Sequence, residues 1–391
     1  MKNLIKSLCV TAAVLTAGMF IGCSNDDNQI NVSGDTQKVT LKLNIPTMAQ
    51  TRTAGAAINA GKELTLNKVT LVFTNAGGTV TAAFAAPGDY TVEELQKGIT
   101  VKVSGDSKKV YAVANTNVTP VVGTNFQALV ADKDATGGNG LAAGTQLGEG
   151  VINIFGVADI VAASGKSADA IAKDTIAPTV ARFEVTDLTA DGMFESFDVE
   201  GVYMDGFYKN ASISGTLGDV KQLTKVAAQM DVDYVNEWAG AIFDKGSWSS
   251  GAPIGGTAQV AAPTEGVWGY YVFAQPYKGE SFDFSSTTGS AVPRIIIKIN
   301  NVKLKAGSSQ TDINYYEGKI WYVTAHSFNF NNKGTDTEIG SIVGGYVIKT
   351  KAGSFKISES TVHEDPNVDT ISVDVIVTPI VWKGIEVTPN L

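Results

Sequence analysis

Few residues of this chain have the chemistry and spacing for catalysis. Histidine occurs at His326 and His363 alone, and neither stands in the H-E-x-x-H spacing that sets two imidazoles on one helix face for zinc. No G-x-S-x-G elbow presents a serine nucleophile. His326 closes a strand-like run beside Phe328 and Phe330, the setting of a structural histidine, and His363 lies in a polar stretch before Pro366. Asp231 and Asp233 form a carboxylate pair, but no further oxygen ligands follow at calcium-loop spacing, so they read as a solvated loop. Gly165-Lys166-Ser167 has the end of a phosphate-binding loop, yet Ile160 stands where its first glycine is required. These observations predict a non-enzyme without cofactor or metal. Among the tryptophans, Trp268 and Trp321 sit within strand patterns and read as core, whereas Trp248, in a Ser- and Gly-rich stretch, is the better platform for stacking on a glycan.

Two residues suit processing chemistry instead. Lys2 and Lys6 precede an apolar run, Leu8 to Ile21, too short to remain as a membrane span, and the run ends in Phe20-Ile21-Gly22-Cys23. That ending resembles a bacterial lipobox, which implies that residues 1–22 are a signal peptide and that Cys23 carries the lipid. Cys9 falls inside the signal, so Cys23 is the single mature cysteine and no disulfide framework can form. Ser24-Asn25-Asp26-Asp27 resembles the surface-export pattern of Bacteroides-type lipoproteins, and residues 23–37 read as a flexible tether. The second processing residue is Arg52, an isolated basic residue in MAQTRTAGAAINAG, a segment with no apolar period and hence a natural proteolytic site, with Thr53 following the bond.

Length bounds what must position these residues: 391 residues suffice for two domains, each with its own core. Forty-one glycines and many Thr and Val favour an all-β fold with a few short helices. A net charge of −9 lacks the basic footprint that nucleic acid requires. The key strand precedes Arg52: Val39, Leu41, Leu43 and Ile45 alternate with Lys38, Thr40, Lys42 and Asn44, the period of a strand with one buried face, and Pro46 ends its pairing.

Further strands are expected at Asn67–Thr74, Thr79–Ala85 (joined by an Ala76-Gly77-Gly78 turn), Lys109–Asn115, Val151–Ala158, Pro178–Val185, Phe194–Tyr203, Trp268–Ala274, Arg294–Leu304, Tyr315–Thr324, Gly345–Lys349 and Ser372–Trp382. Thr91-Val92-Glu93-Glu94 matches a capping box opening a short helix, and the Gly-rich stretch 124–145 should be a loop with one short helix. Leu223, Val226, Ala227 and Met230 recur at helical spacing, an amphipathic helix capping a sandwich. The number of strands and the turns between them fit a sandwich.

The lipobox, the Val39–Ile45 ladder, Thr51-Arg52, KVYAVANTN at Lys109–Asn117, PTVARFEV around Arg182 and the ending ISVDVIVTPIVWKGIEVTPNL together resemble the fimbrillins of the Bacteroidales, the type V pilus subunits. The resemblance covers essentially the whole chain. It implies two transthyretin-like β-sandwich domains, at residues 53–175 and 176–370, between a removable strand and cleavage loop at 38–52 and a donor segment at 371–391. It further implies an outer-membrane lipoprotein precursor, cut after Arg52 by an arginine-specific or trypsin-like protease, whose Val39–Ile45 strand is replaced by a strand from another copy or a related pilin. Two tail ladders could donate, Ile371, Val373, Val375 and Val377, or Ile385 and Val387 beyond Pro379. An anchor or tip subunit, or a surface lipoprotein binding glycan or host protein, are the alternative roles.

Overall fold

The computed structural model describes residues 35–44, 66–143, 146, 152–163, 169–185, 188–221, 243–244, 248–249, 268–276, 283–287, 289–332 and 334–379. Strands are numbered in chain order. A four-stranded sheet, ordered β4 (Ile99–Ser104), β1 (Thr36–Asn44), β9 (Asp169–Thr175), β8 (Val161–Ala162), faces a five-stranded one. The latter is ordered β10 (Ala177–Pro178), β7 (Ile154–Asp159), β5 (Lys109–Ala114), β2 (Val69–Thr74), β3 (Val80–Ala86). One apolar core lies between these sheets, with Leu41, Phe73 and Val101 among its members. All six residues of β2 are buried, because the opposite face of its sheet meets a second core containing Val72, Tyr111 and Phe126.

That second core belongs mainly to a ten-stranded sheet. Its path is β17 (Phe243–Asp244), β13 (Phe194–Asp205), β20 (Arg294–Leu304), β21 (Trp321–Asn332), β25 (Ile371–Pro379), β23 (Tyr346–Thr350), β11 (Val180–Val185), β19 (Trp268–Phe273), with β18 (Trp248–Ser249) on β13 and β22 (Thr335–Glu338) on β21. Two-stranded pairs join β12 (Thr189–Ala190) to β24 (Lys356–Ile357), β14 (Phe207–Tyr208) to β16 (Val220–Lys221), and β15 (Asn210–Ala211) to β6 (Leu141–Ala142). The fold is all-β, as composition and turn spacing indicate.

The chain changes sheets at Thr179. Pro178 still pairs with Ile154 of β7, whereas Val180 pairs with Phe273 of β19. Asn153 ties the two halves at this crossing. Its buried amide nitrogen donates to the Ile213 carbonyl at 2.8 Å, and its own carbonyl accepts from the Thr179 N–H at 3.1 Å.

Local rules explain the short elements. Helix α1 (Val92–Lys97) begins on the expected capping box: Thr91 Oγ1 accepts from the Glu94 N–H while the Glu94 carboxylate accepts from the Thr91 N–H at 2.7 Å. Asn125 caps α2 (Phe126–Ala131), its side chain accepting from the Ala128 N–H, and the helix buries Phe126 and Val130. In the β2–β3 turn Gly78 has φ +80, and a Cβ there would lie 2.9 Å from Gln127 Cβ, so glycine is required twice over.

The expected strand Tyr315–Thr324 is corrected. Its first part is helix α3 (Gln310–Tyr316), because Ser309 caps the Asp312 N–H, and the strand begins only at Trp321. Tyr315 and Tyr316 pack on Trp321 as tilted rings with centroids 5.4 and 5.2 Å away, and the tryptophan is buried as core. The expected helix at Leu223, Val226, Ala227 and Met230, the Asp231 and Asp233 pair, and Gly165-Lys166-Ser167 lie outside the described residues.

Candidate functional site: the groove that holds the first strand

β1 occupies the middle of the four-stranded sheet. It runs antiparallel to β4, pairing from Thr36 with Ser104 to Leu41 with Ile99. It runs parallel to β9, from Lys38 with Asp169 to Asn44 with Thr175. Alternation then sets its faces: Val39 and Leu41 are 0% exposed and Leu43 2%, while Lys38, Thr40 and Lys42 face outward. On the outer face the Thr40 and Thr100 hydroxyls lie 3.1 Å apart. Inside, the ladder packs with Leu95 of α1, Ile99 and Val101 of β4, and Phe73 of the facing sheet.

The start of the groove is polar. Gln37 falls on the inward parity of β1, opposite Val103, and its Nε2 points at three carbonyl oxygens: Ser107 at 2.8 Å, Ser104 at 3.1 Å and Gly105 at 3.4 Å. Ser107 is fully buried, and its hydroxyl lies 2.7 Å from that of Thr81, which donates to the Phe73 carbonyl at 3.1 Å. Beside it the Gly105 N–H donates to the Asp35 carbonyl at 2.7 Å. A polar layer therefore closes one end of an apolar slot. Sequence reasoning missed Gln37, although its position two residues before Val39 was the available signal.

Without β1 the slot would expose the facing apolar side chains together with the unpaired edges of β4 and β9. Filling it with Val39, Leu41 and Leu43 contributes roughly 4 to 9 kcal/mol before the entropy of ordering the strand is subtracted. The chemistry on offer is strand binding: a backbone ladder on two sides and an alternating apolar face.

The other sequence-derived site residues fall elsewhere. Cys23, Ile45, Arg52, Thr53, Ile385 and Val387 lie outside the described residues. Ile371, Val373, Val375 and Val377 belong to β25, an inner strand of the ten-stranded sheet. It is parallel to β21, with Val373 beside Phe328, and antiparallel to β23, with Val377 beside Ile348. Val373 is 0% exposed and Val375 4%, and the side chains of Ile371 and Val377 pack against the same core. The strand's start is held by Thr370, whose hydroxyl accepts from the Thr324 N–H at 3.0 Å, and by Arg294, which bonds Asp369 at 3.2 Å and also pairs with buried Asp205.

The histidines do not form a site. His326 is exposed on β21, and His363 Nδ1 accepts from the Asp365 N–H at 2.9 Å. Among the described residues there is no group of three or more His, Cys, Asp or Glu able to hold a metal ion.

Comparison with solved structures defines the class of fold. A candidate cell adhesion protein from Parabacteroides distasonis aligns over 90% of this chain and 98% of its own, with a TM-score of 0.50 at 11% identity. Another from Bacteroides eggerthii aligns over 90% and 98%, with a TM-score of 0.46 at 14% identity. A fimbrilin from Porphyromonas gingivalis aligns over 89% and 99%, with a TM-score of 0.46 at 12% identity. No family model matches the sequence, and no curated protein does. The Parabacteroides likeness is one of fold: this chain shares the all-β fold of that candidate cell adhesion protein.

Proposed function

We propose that this chain is a structural subunit of a surface fimbria, made as an outer-membrane lipoprotein on Cys23, cut between Arg52 and Thr53, and polymerised when a strand from another copy replaces β1. Adhesion is the task of the fibre, and the subunit itself is no enzyme. The observation that carries this reading is the placement of β1. It is an inner strand whose apolar ladder is fully buried, yet it lies at the amino end, before the single basic residue of an aperiodic segment.

While the chain is intact, β1 is a tethered competitor at high effective concentration, so the precursor stays monomeric. Cutting after Arg52 removes that advantage and lets an untethered strand compete. Insertion of one copy's strand into the next is a head-to-tail contact, which grows as a filament instead of closing.

The placement of β25 bears on the choice of donor. Withdrawing Ile371–Pro379 would unpair β21 and β23 and empty part of the second core, so the reading assigns donation to the chain beyond Pro379, with Ile385 and Val387. An Arg52→Ala variant tests the whole scheme. Lipidated monomers at the surface are expected. Normal fibres from that variant, with Arg52 established as the cut site in the unaltered protein, would refute it.

A further inference from the structure

From the polar end of the groove we infer that the Ser104, Gly105 and Ser107 carbonyls form a register-setting subsite for whichever strand fills the slot, and that Lys383 of a second copy occupies it in the polymer. This rests on the strand-exchange reading above.

Three carbonyl oxygens converge on the position of Gln37, and a side-chain amide can offer them only two hydrogens. The subsite thus takes hydrogen-bond donors and rejects acceptors. It also precedes the apolar ladder by two residues, on the same face of the strand. An occupant running as β1 runs must therefore read donor, any residue, apolar, any residue, apolar. A slip of two residues would push an apolar side chain into the carbonyl cluster. The Ser104 and Gly105 oxygens would keep the Ser107 N–H at 3.0 Å and the Lys108 ammonium at 3.3 Å, but the Ser107 oxygen would lose its 2.8 Å bond from the strand, which penalises the wrong register.

The two tail ladders differ at this position. The residue two before Ile371 is Asp369, an ionised acceptor that the carbonyl cluster would repel. The residue two before Ile385 is Lys383, whose ammonium can replace the Gln37 amide as donor to the Ser107 carbonyl. Its stem is long enough to keep its charge at the half-buried mouth of the groove, clear of the Lys108 ammonium that donates to the Gly105 carbonyl at 3.3 Å. With Lys383 at the position of Gln37, Ile385 takes that of Val39 beside Val101, and Val387 that of Leu41 beside Ile99. Pro389 then falls at the position of Leu43, past the last β4 partner and opposite Asp174 near the end of the β9 ladder, where a proline ends the strand's pairing. Glu386 faces outward opposite Thr100, as Thr40 does in the intact chain.

Disulfide trapping in the polymer reads the register. Thr100→Cys combined with Glu386→Cys should give covalent oligomers on a non-reducing gel, because the outward pair at 40 and 100 is in contact. Thr100→Cys with Ser372→Cys, which reports the Ile371 ladder in the equivalent register, should give none. Cross-linking through Ser372→Cys, or fibres that form from both variants without either cross-link, would overturn the inference while leaving strand exchange standing. Absence of polymer from the processed, unaltered protein would sink the strand-exchange reading and this inference together. As a second readout, Lys383→Gln should polymerise as the unaltered chain does, and Lys383→Glu should leave processed but unpolymerised subunits. Ordinary fibres from Lys383→Glu would contradict the subsite.

Discussion

The Arg182 guanidinium occupies the space that a side chain on Gly269 would need: a methyl group there would overlap Arg182 Nη2. Arg182 is 2% exposed, bonds Glu184 at 2.7 Å through Nε and lies 4.8 Å from the centre of the Tyr271 ring. The two chains of atoms are thus mutually dependent across the β11–β19 pair.

Gly269→Ala should destabilise the protein by about 1 to 3 kcal/mol, the usual range for overpacking a filled site. Glu184→Ala should cost about 3 to 5 kcal/mol, because it leaves a buried guanidinium without its carboxylate. Urea unfolding followed by tryptophan fluorescence measures both, and a shift of the midpoint within error of the unaltered protein would contradict the assignment.

Leu41→Ala and Val373→Ala each truncate a fully buried aliphatic side chain; the first should cost about 2 to 5 kcal/mol in the uncut chain, and the second, which removes one carbon fewer, somewhat less. Their fates diverge once β1 is lost. After cleavage and strand replacement the Leu41→Ala penalty should vanish, since the residue has left, whereas the Val373→Ala penalty should persist because β25 stays in its own sheet. Equal penalties before and after processing would mean that β1 is retained.

Much of this was legible in the sequence because period-2 alternation is local. The Val39–Leu43 ladder, the Thr91–Glu94 capping box and the Gly78 turn all follow from neighbouring residue types. Arg182 and Glu184 were not legible as buried: alternation with Phe183 and Val185 places charged residues outward, and only pairing with Tyr271 and Gly269 shows that this face is covered too. Tyr315-Tyr316 reads as strand by composition, yet the Ser309 cap makes it helix, since local hydrogen bonding outweighs aromatic β-propensity. The Ile371 ladder has the same pattern as β1, and pattern alone cannot distinguish a spare strand from one already paired on both sides. The topology does.

Acid should loosen α1, which contributes Leu95 to the core around β1. The Thr91 backbone N–H, followed by its hydroxyl, holds the Glu94 carboxyl below the usual glutamate value. A carboxyl depressed in the folded state stabilises above its unfolded pKa and loses that contribution as pH falls through the folded one. The protection factors of the Thr91 and Glu94 amides, their exchange rates taken relative to the intrinsic rate at each pH, should therefore fall as the pH drops through the carboxylate range, and Glu94→Gln should abolish that fall. Protection factors that stay flat with pH in the unaltered protein would contradict this.

The most direct test of strand replacement is the amino-terminal sequence of fibres sheared from cells. Thr53 as the first residue, with the segment bearing Val39, Leu41 and Leu43 absent from the fibre, is the expected result. Fibres whose subunits still begin at a blocked Cys23 would show that the first strand never leaves its groove.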